Sequence, residues 1–278
     1  MIKVEIKDIQ NKLLEIIEYF DAFCKENSIT YYLMGGTALG AIRHKGFIPW
    51  DDDLDVFMTF DNYQKFLLVA KNNLNADYYL QEENTKEWPM FFSKLRLNGT
   101  TFIEEDTKYR DMHQGFYIDI MCLNKTSKNL FLRKLQFLAA RIITAKTVSK
   151  KGYITDNKIK KIGMKFFSVI ITSRIEKKLT SYIRRFNEKK MDYVGHFFGR
   201  AKFPNTSFPI HYLGKPKNVK FETLVLPVPE KVEKYLILRY GEKFMEMPDE
   251  KTKSLYPQHA AIVDLNVDYK DFIKNNKI

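Results

Sequence analysis

Residues 34–58 read MGGTALGAIRHKGFIPWDDDLDVFM, and this block constrains the chain more than any other. Four carboxylates, Asp51, Asp52, Asp53 and Asp55, fall within five positions. Left bare they repel one another, and a divalent cation is the usual remedy. Gly35 and Gly36 have no side chains to hold a phosphate away from backbone amides. Arg43, His44 and Lys45 place positive charge between the glycines and the acids. A glycine turn and a carboxylate cluster this close together point to a metal-bound phosphoester substrate.

The local pattern around the block is alternately strand-like and helical. YYLMGG reads as a short buried strand ending in a tight turn, and TALGAIRH as a short helix with Thr37 near its N-terminus, a place suited to phosphate. LDVFM at 54–58 reads as the next strand, followed by the helix NYQKFLLVAKNN with Asp61 as its cap. Side chains alternate across a strand, so Asp53 and Asp55 are expected on one face, with Asp51 joining them if the strand begins early. Asp52 points the other way or lies in the turn. A third acid, Asp119, sits inside the apolar run FYIDIMC, where a buried carboxylate needs a partner.

Elsewhere the pattern supports an α/β or α+β core. Ile6, Ile9, Leu13, Ile16, Ile17, Phe20 and Cys24 recur at helical spacing in the opening stretch. Residues 90–105 predict a hairpin turning at Asn98-Gly99, and 115–123 a further strand. The chain then becomes basic and mostly helical, with a break at 150–157. An extended stretch ends at Pro227 and Pro229, and a closing helix stops before Gly241. Helices interleaved with short strands, without internal repeats, fit a mixed sheet flanked by helices.

Charge divides the chain unevenly. The total is 46 Lys and Arg against 34 Asp and Glu, but residues 125–190 alone hold nineteen basic and three acidic residues. The rest is slightly acidic. The basic segment reads as a solvated helical face or as a surface for the anionic cytoplasmic leaflet. No recognition module for nucleic acid is visible, which places that partner last. MIKVEIKDIQ is not a signal peptide, and two cysteines make no disulfide framework, so a cytoplasmic protein is expected, with peripheral contact at the inner membrane face. Cys24 and Cys122 lack ligand-type spacing and read as packing residues.

Gly-Gly, a spacer, then Asp-x-Asp on a strand resembles the nucleotidyltransferase superfamily. The longer block GGTALGAIRHKGFIPWDDDLDV resembles the LicD family of phosphocholine transferases, related to fukutin-type phosphosugar transferases. SKLRLNGTTFIEE, HQGFYIDIMCL, FETLVLPVP and YLILRYGEKFMEMP agree with it in order, so the likeness spans roughly 20–124 and 220–250. Asn124 departs from it, standing where an acid is expected. The resemblance implies a nucleotidyltransferase-like core at 1–124, a basic helical insertion at 125–193, and a C-terminal part at 194–278 completing the catalytic domain.

It further implies transfer of phosphocholine, or a related phosphoalcohol, from CDP-choline or another CDP-alcohol. The acceptor is a sugar hydroxyl of a cell-surface glycan precursor: teichoic acid, lipopolysaccharide or capsule, in free or lipid-linked form. Asp53, Asp55 and Asp119 then hold Mg²⁺, with Mn²⁺ as a substitute, and Asp119 or Asp51 accepts the acceptor's proton. Gly35, Gly36, Thr37 and Arg43 cradle the phosphates, and Lys94 and Arg96 add charge. His44 and His113 serve as phosphate or supporting hydrogen-bond partners. A quaternary ammonium needs aromatic faces, for which Trp50, Trp88, Phe47, Phe116 and Tyr117 are candidates. His259 is isolated and reads as structural or as a distant substrate contact. Two rival readings remain at this point: transfer of NMP from an NTP to a small hydroxylated acceptor, and a non-catalytic membrane-surface or nucleic-acid binding protein.

Overall fold

The computed structural model describes residues 4–151, 162–163, 165–166, 169–199, 201–254 and 258–276. Helix α1 (Ile6–Glu26) buries Ile9, Leu13, Ile16, Ile17, Phe20 and Cys24 on one side, as their 3.6-residue period requires. Next come β1 (Tyr32–Leu33), α2 (Gly35–Arg43), β2 (Asp55–Thr59) and α3 (Phe60–Asn73). Thr59 occupies the N-cap of α3, so Asp61 lies inside the first turn, where its charge still complements the helix dipole. β3 (Tyr78–Gln81), β4 (Ser93–Leu97), β5 (Thr101–Glu104) and the long β6 (Tyr117–Thr126) follow.

The main sheet runs β1-β2-β6-β4-β3. β2 and β6 are parallel and their neighbours antiparallel. The far end of β6 also pairs with β7 (Tyr193–Gly195), which pairs with β8 (Ser207–Pro209). Strand alternation gives this sheet two chemically different faces. Val56, Met58, Ile118, Ile120 and Cys122 enter the core shared with α1 and α3, where Phe20 packs edge-on against Tyr31 and Phe66. Asp55, Phe57, Tyr117, Asp119, Met121 and Leu123 turn to the opposite face and line a cleft.

Two expectations fail in instructive ways. Asn98-Gly99 does make a turn, with Gly99 at φ +70°, but β4 and β5 do not pair as a hairpin. Both edges of β4 are already taken by β3 and β6, so β5 diverges and pairs with β11 (Ala260–Asp264) instead. The expected closing helix, α6 (Val232–Tyr240), does stop at Gly241 (φ +92°), yet the chain continues through α7 (Glu250–Lys253), β11 and α8 (Tyr269–Asn276). FETLVLPVP contributes to a two-stranded unit, β9 (Lys217–Phe221) with β10 (Leu224–Val228).

Within the basic segment, α4 (Leu130–Lys151) and α5 (Ser173–Arg184) pack against each other. Ala139, Ala140, Ile143 and Ile183 form a second small core there with Phe91, Phe197 and Phe198. The helix break expected at 150–157 falls, from 152 onward, outside the described residues.

His113 belongs to the fold rather than to a phosphate. It stacks on Tyr79 at 4.9 Å and leans on Tyr269 at 4.7 Å. Gly115 N–H donates to its Nδ1 (3.1 Å), so the ring proton resides on Nε2 and is donated to Asn98 Oδ1 (2.9 Å). Burial, and then the nearby Arg96, lower its pKa from 6.5 to about 4. Between those two values the unfolded chain binds more protons than the folded one, so stability falls as the pH drops through this window. His113→Gln should therefore lose less stability than the parent between pH 7 and pH 4.5, measured as urea midpoints. Equal losses would contradict the neutral buried imidazole.

Candidate active site

The cleft has a volume of about 1070 Å³, ample for a nucleotide-sized ligand. Its floor is set by strand register. Asp55 on β2 lies directly beside Asp119 on β6, and Asp119 lies beside Lys94 on β4, so the three side chains form a row across adjacent strands. Asp119 N–H donates to Leu54 O (2.9 Å), which carries the β2–β6 ladder one residue further. Asp53 precedes β2 rather than lying in it, in an extended approach that still brings it to the cleft. Asp51 also lines the cleft, one step further out along the same loop.

Helix α2 closes the site from above. Gly35 takes φ +65°, a left-handed conformation that favours glycine. A Cβ on Gly35 would stand 3.0 Å from Asp55 Oδ2, and one on Gly36 3.2 Å from Asp51 Oδ2. The glycines thus let the positive end of the α2 dipole approach the carboxylates. Thr37 is not a cleft residue: its hydroxyl accepts from Asp55 N–H (2.8 Å) and so fixes the start of β2. Gly35 N–H donates to the Tyr235 hydroxyl (3.0 Å), tying α2 to α6.

The basic residues divide into those that reach the cleft and those that do not. Arg43 lines it, with Nη1 donating to the carbonyls of Phe244 (3.1 Å) and Glu246 (3.0 Å). His44 accepts from Arg43 Nε (2.9 Å), and burial together with that guanidinium lowers its pKa, so it orients Arg43. Arg96 is fully buried and bonded to Gln81 Oε1 and Gly115 O, which removes it from the phosphate role expected of it. Lys94 does line the cleft but is already committed. Its ammonium stands 2.9 Å from Asp119 Oδ1, 3.3 Å from Glu104 Oε1 and 3.1 Å above the Tyr117 ring centroid. Asn124, also buried, accepts from Asn187 Nδ2 (3.0 Å) and ties β6 to the segment after α5.

Crowding of like charge dominates the electrostatics. Burial, then Asp53 and Asp52, push Asp51 up to about 8. Burial, then Asp53 and Asp119, push Asp55 well above the carboxylate range. Asp53 is raised chiefly by burial, with His259 opposing the shift. Such a cluster favours a counter-cation, and its donors are all hard oxygens of the kind Mg²⁺ prefers. The residues present therefore fit such an ion chemically. In geometry the set is not closed: among the described residues no three His, Cys, Asp or Glu side chains converge to ion-holding distance, and Asp119 faces Lys94.

Nothing in the local spacing pointed to the pairing of Asp52 with His259. Asp52 is buried, and its Oδ2 accepts from the backbone N–H groups of His259 (2.7 Å) and Ala260 (2.9 Å). Its Oδ1 lies 3.0 Å from His259 Nδ1, and the same nitrogen is 3.7 Å from Asp53 Oδ2. This bond to Asp52 raises His259 to about 9, against the opposing effect of burial. Asp52 thereby clamps β11 to the acidic loop and places an imidazolium at the cleft. No local spacing could have linked two residues separated by 207 positions.

Of the aromatic candidates, Trp50 and Tyr117 line the cleft, whereas Phe47, Phe116 and Trp88 do not. Lys253 already sits 4.9 Å over the Trp50 ring, which shows that this face accepts a cation.

Residues 28–117 match the model of the LicD/FKTN/FKRP nucleotidyltransferase domain. Over 268 residues, 95% of this chain and all of the relative, it is 27% identical to the lipopolysaccharide cholinephosphotransferase LicD of Haemophilus influenzae. A shorter match, 29% identity over 126 residues, covers 44% of this chain and a tenth of mannosyltransferase regulator 4 of Saccharomyces cerevisiae. The acidic loop and the Gly-Gly helix start both fall inside the residues that match this nucleotidyltransferase domain model. The chain is therefore similar to LicD-type proteins, through the family model over residues 28–117 and through the Haemophilus relative over most of its length.

The Asp52 clamp is directly testable. Asp52→Ala leaves two backbone donors without their acceptor, at about 1–3 kcal/mol for each buried unsatisfied group. Unfolding in urea should show a loss of roughly 2–5 kcal/mol, and Asp52→Asn a smaller one. An unchanged midpoint in Asp52→Ala would show that the clamp contributes nothing.

Proposed function

We propose that the protein transfers phosphocholine, or a related phosphoalcohol, from a CDP-linked donor to a sugar hydroxyl of a cell-surface glycan precursor. The observation that carries this reading is the row Asp55–Asp119 with Asp53 and Asp51 above it, at the floor of a cleft large enough for a nucleotide donor. The name of the Haemophilus relative, aligned along its whole length, supports the transferase class and lipopolysaccharide as one acceptor. Teichoic acid and capsule precursors offer the same hydroxyl chemistry.

In this reading Asp53, Asp55 and Asp119 hold Mg²⁺ or Mn²⁺, which supplies neutralisation of the donor's diphosphate. For Asp119 to take part, Lys94 must transfer its pairing to Glu104 or to a donor phosphate. Gly35 and Gly36 bring the start of α2 up against the Asp55 and Asp51 carboxylates, so a donor phosphate drawn to an ion there would meet the positive end of the helix, and Arg43 lines the same cleft. The acceptor oxygen attacks the phosphorus attached to the alcohol, the bond to CMP breaks, and the acceptor's proton passes to a carboxylate. Asp51 is the candidate for that proton.

Purified protein, Mg²⁺ and a panel of CDP-alcohols with a glycan acceptor should release CMP. Asp53→Asn and Asp55→Asn should lower that release by about 10²-fold or more, the scale on which charge stabilisation acts in such sites. Pyrophosphate release from an NTP would instead establish NMP transfer. Full activity in Asp53→Asn would overturn the assignment of the acidic loop.

A further inference from the structure

Among the described residues, the basic segment carries several largely exposed apolar side chains. Along α4, Phe131, Lys134, Leu138 and Arg141 follow one another at spacings of three and four residues, so they share one face. Phe131 is 68% exposed and Leu138 45% exposed. The opposite side of α4 is the one that packs, through Ala139, Ala140 and Ile143. Beyond the helix, Phe166 and Val169 are 58% and 74% exposed in a stretch that also carries exposed Lys165. On α5, Arg174, Lys177 and Lys178 are exposed as well. A globular surface normally scatters single apolar residues; here they alternate with cations in the part of the chain that holds nineteen basic and three acidic residues.

We propose that this segment docks on the surface of an anionic lipid bilayer. Charge complementarity selects that occupant: the cations meet acidic headgroups while the phenylalanine and aliphatic side chains enter the acyl boundary. A second copy of the same face would instead set cation against cation. Among the described residues no helix is long and apolar enough to cross a membrane, so the contact is a surface one. The placement has a consequence for the cleft. Arg141, Thr144, Ala145 and Val148 of α4, together with Gly163, line its wall, so docking through α4 holds the cleft at headgroup level. An acceptor anchored in the bilayer would then reach the site without leaving the membrane. The docking rests on the surface alone and is independent of the donor chemistry.

The test is co-sedimentation of the full chain with vesicles of neutral phosphatidylcholine and with vesicles containing 30% phosphatidylglycerol (a mole fraction on the order of that in anionic leaflets). Binding should appear only with the anionic vesicles and weaken as salt is raised. Phe131→Ser combined with Val169→Ser should reduce it by roughly tenfold or more and leave the circular dichroism melting curve unchanged. CMP release from the CDP-linked donor with a soluble acceptor should be the same in parent and variant. Absence of binding to anionic vesicles at low salt would overturn the proposal. So would binding that the double variant retains in full. Self-association, or RNA binding, through these same side chains would overturn it equally.

Discussion

Everything in this molecule is arranged around the cost of burying several carboxylates together. An isolated ionised carboxylate is expensive to remove from water, and four in one cleft multiply the cost through mutual repulsion. The chain meets it with three devices. The start of α2 presents its dipole across two glycines where a Cβ would crowd carboxylate oxygens at 3.0 and 3.2 Å. Lys94, itself only 2% exposed, faces both Asp119 and Glu104. His259 stands between Asp52 and Asp53, and its hydrogen bond to Asp52 raises its pKa to about 9, which favours the imidazolium. Each comes from a different part of the chain, so the acidic loop acts as an organising centre for the fold as well as for the site.

Strand alternation lets one sheet serve both purposes. Val56, Met58, Ile118, Ile120 and Cys122 supply core beneath α1 and α3, and Asp55, Phe57, Tyr117, Asp119, Met121 and Leu123 supply the cleft. A one-residue slip of β2 against β6 would exchange the two sets and bury Asp55 in the hydrocarbon core. The parallel Asp55–Asp119 register is therefore enforced by packing on one face and by charge on the other. Lys94 enters the same row through the antiparallel β4, which explains why a lysine so thoroughly buried is tolerated: its partners lie at the same level of the sheet.

The pattern of acids and glycines was legible in the sequence because it is local. Asp53, Asp55 and the Gly-Gly pair lie within twenty-one positions, and alternation is enough to aim Asp55 and Asp119. The helices at 6–26 and 60–73 were legible for the same reason, from period alone. Positions whose role depends on distant partners were misread. Arg96 and Thr37 looked like phosphate ligands from their neighbours in sequence, but one is spent on Gln81 and Gly115 and the other on the Asp55 amide. The Asn98-Gly99 turn was recognisable, whereas the fate of its arms depended on which strand edges were already occupied.

By itself the sequence determined which residues can share a strand face, where the backbone can approach a phosphate, and that positive charge is concentrated in one helical segment. The tertiary structure decided which of those residues have partners. Asp52 became a clamp because β11 returns beside it, His259 entered the cleft because that clamp holds it, and Lys94 met Asp119 because two antiparallel strands fell into register. The physical reason is common to all three. Hydrogen-bond and ion-pair partners over long sequence separations are selected by packing and strand register, and neither leaves a trace in the spacing of a few neighbouring residues.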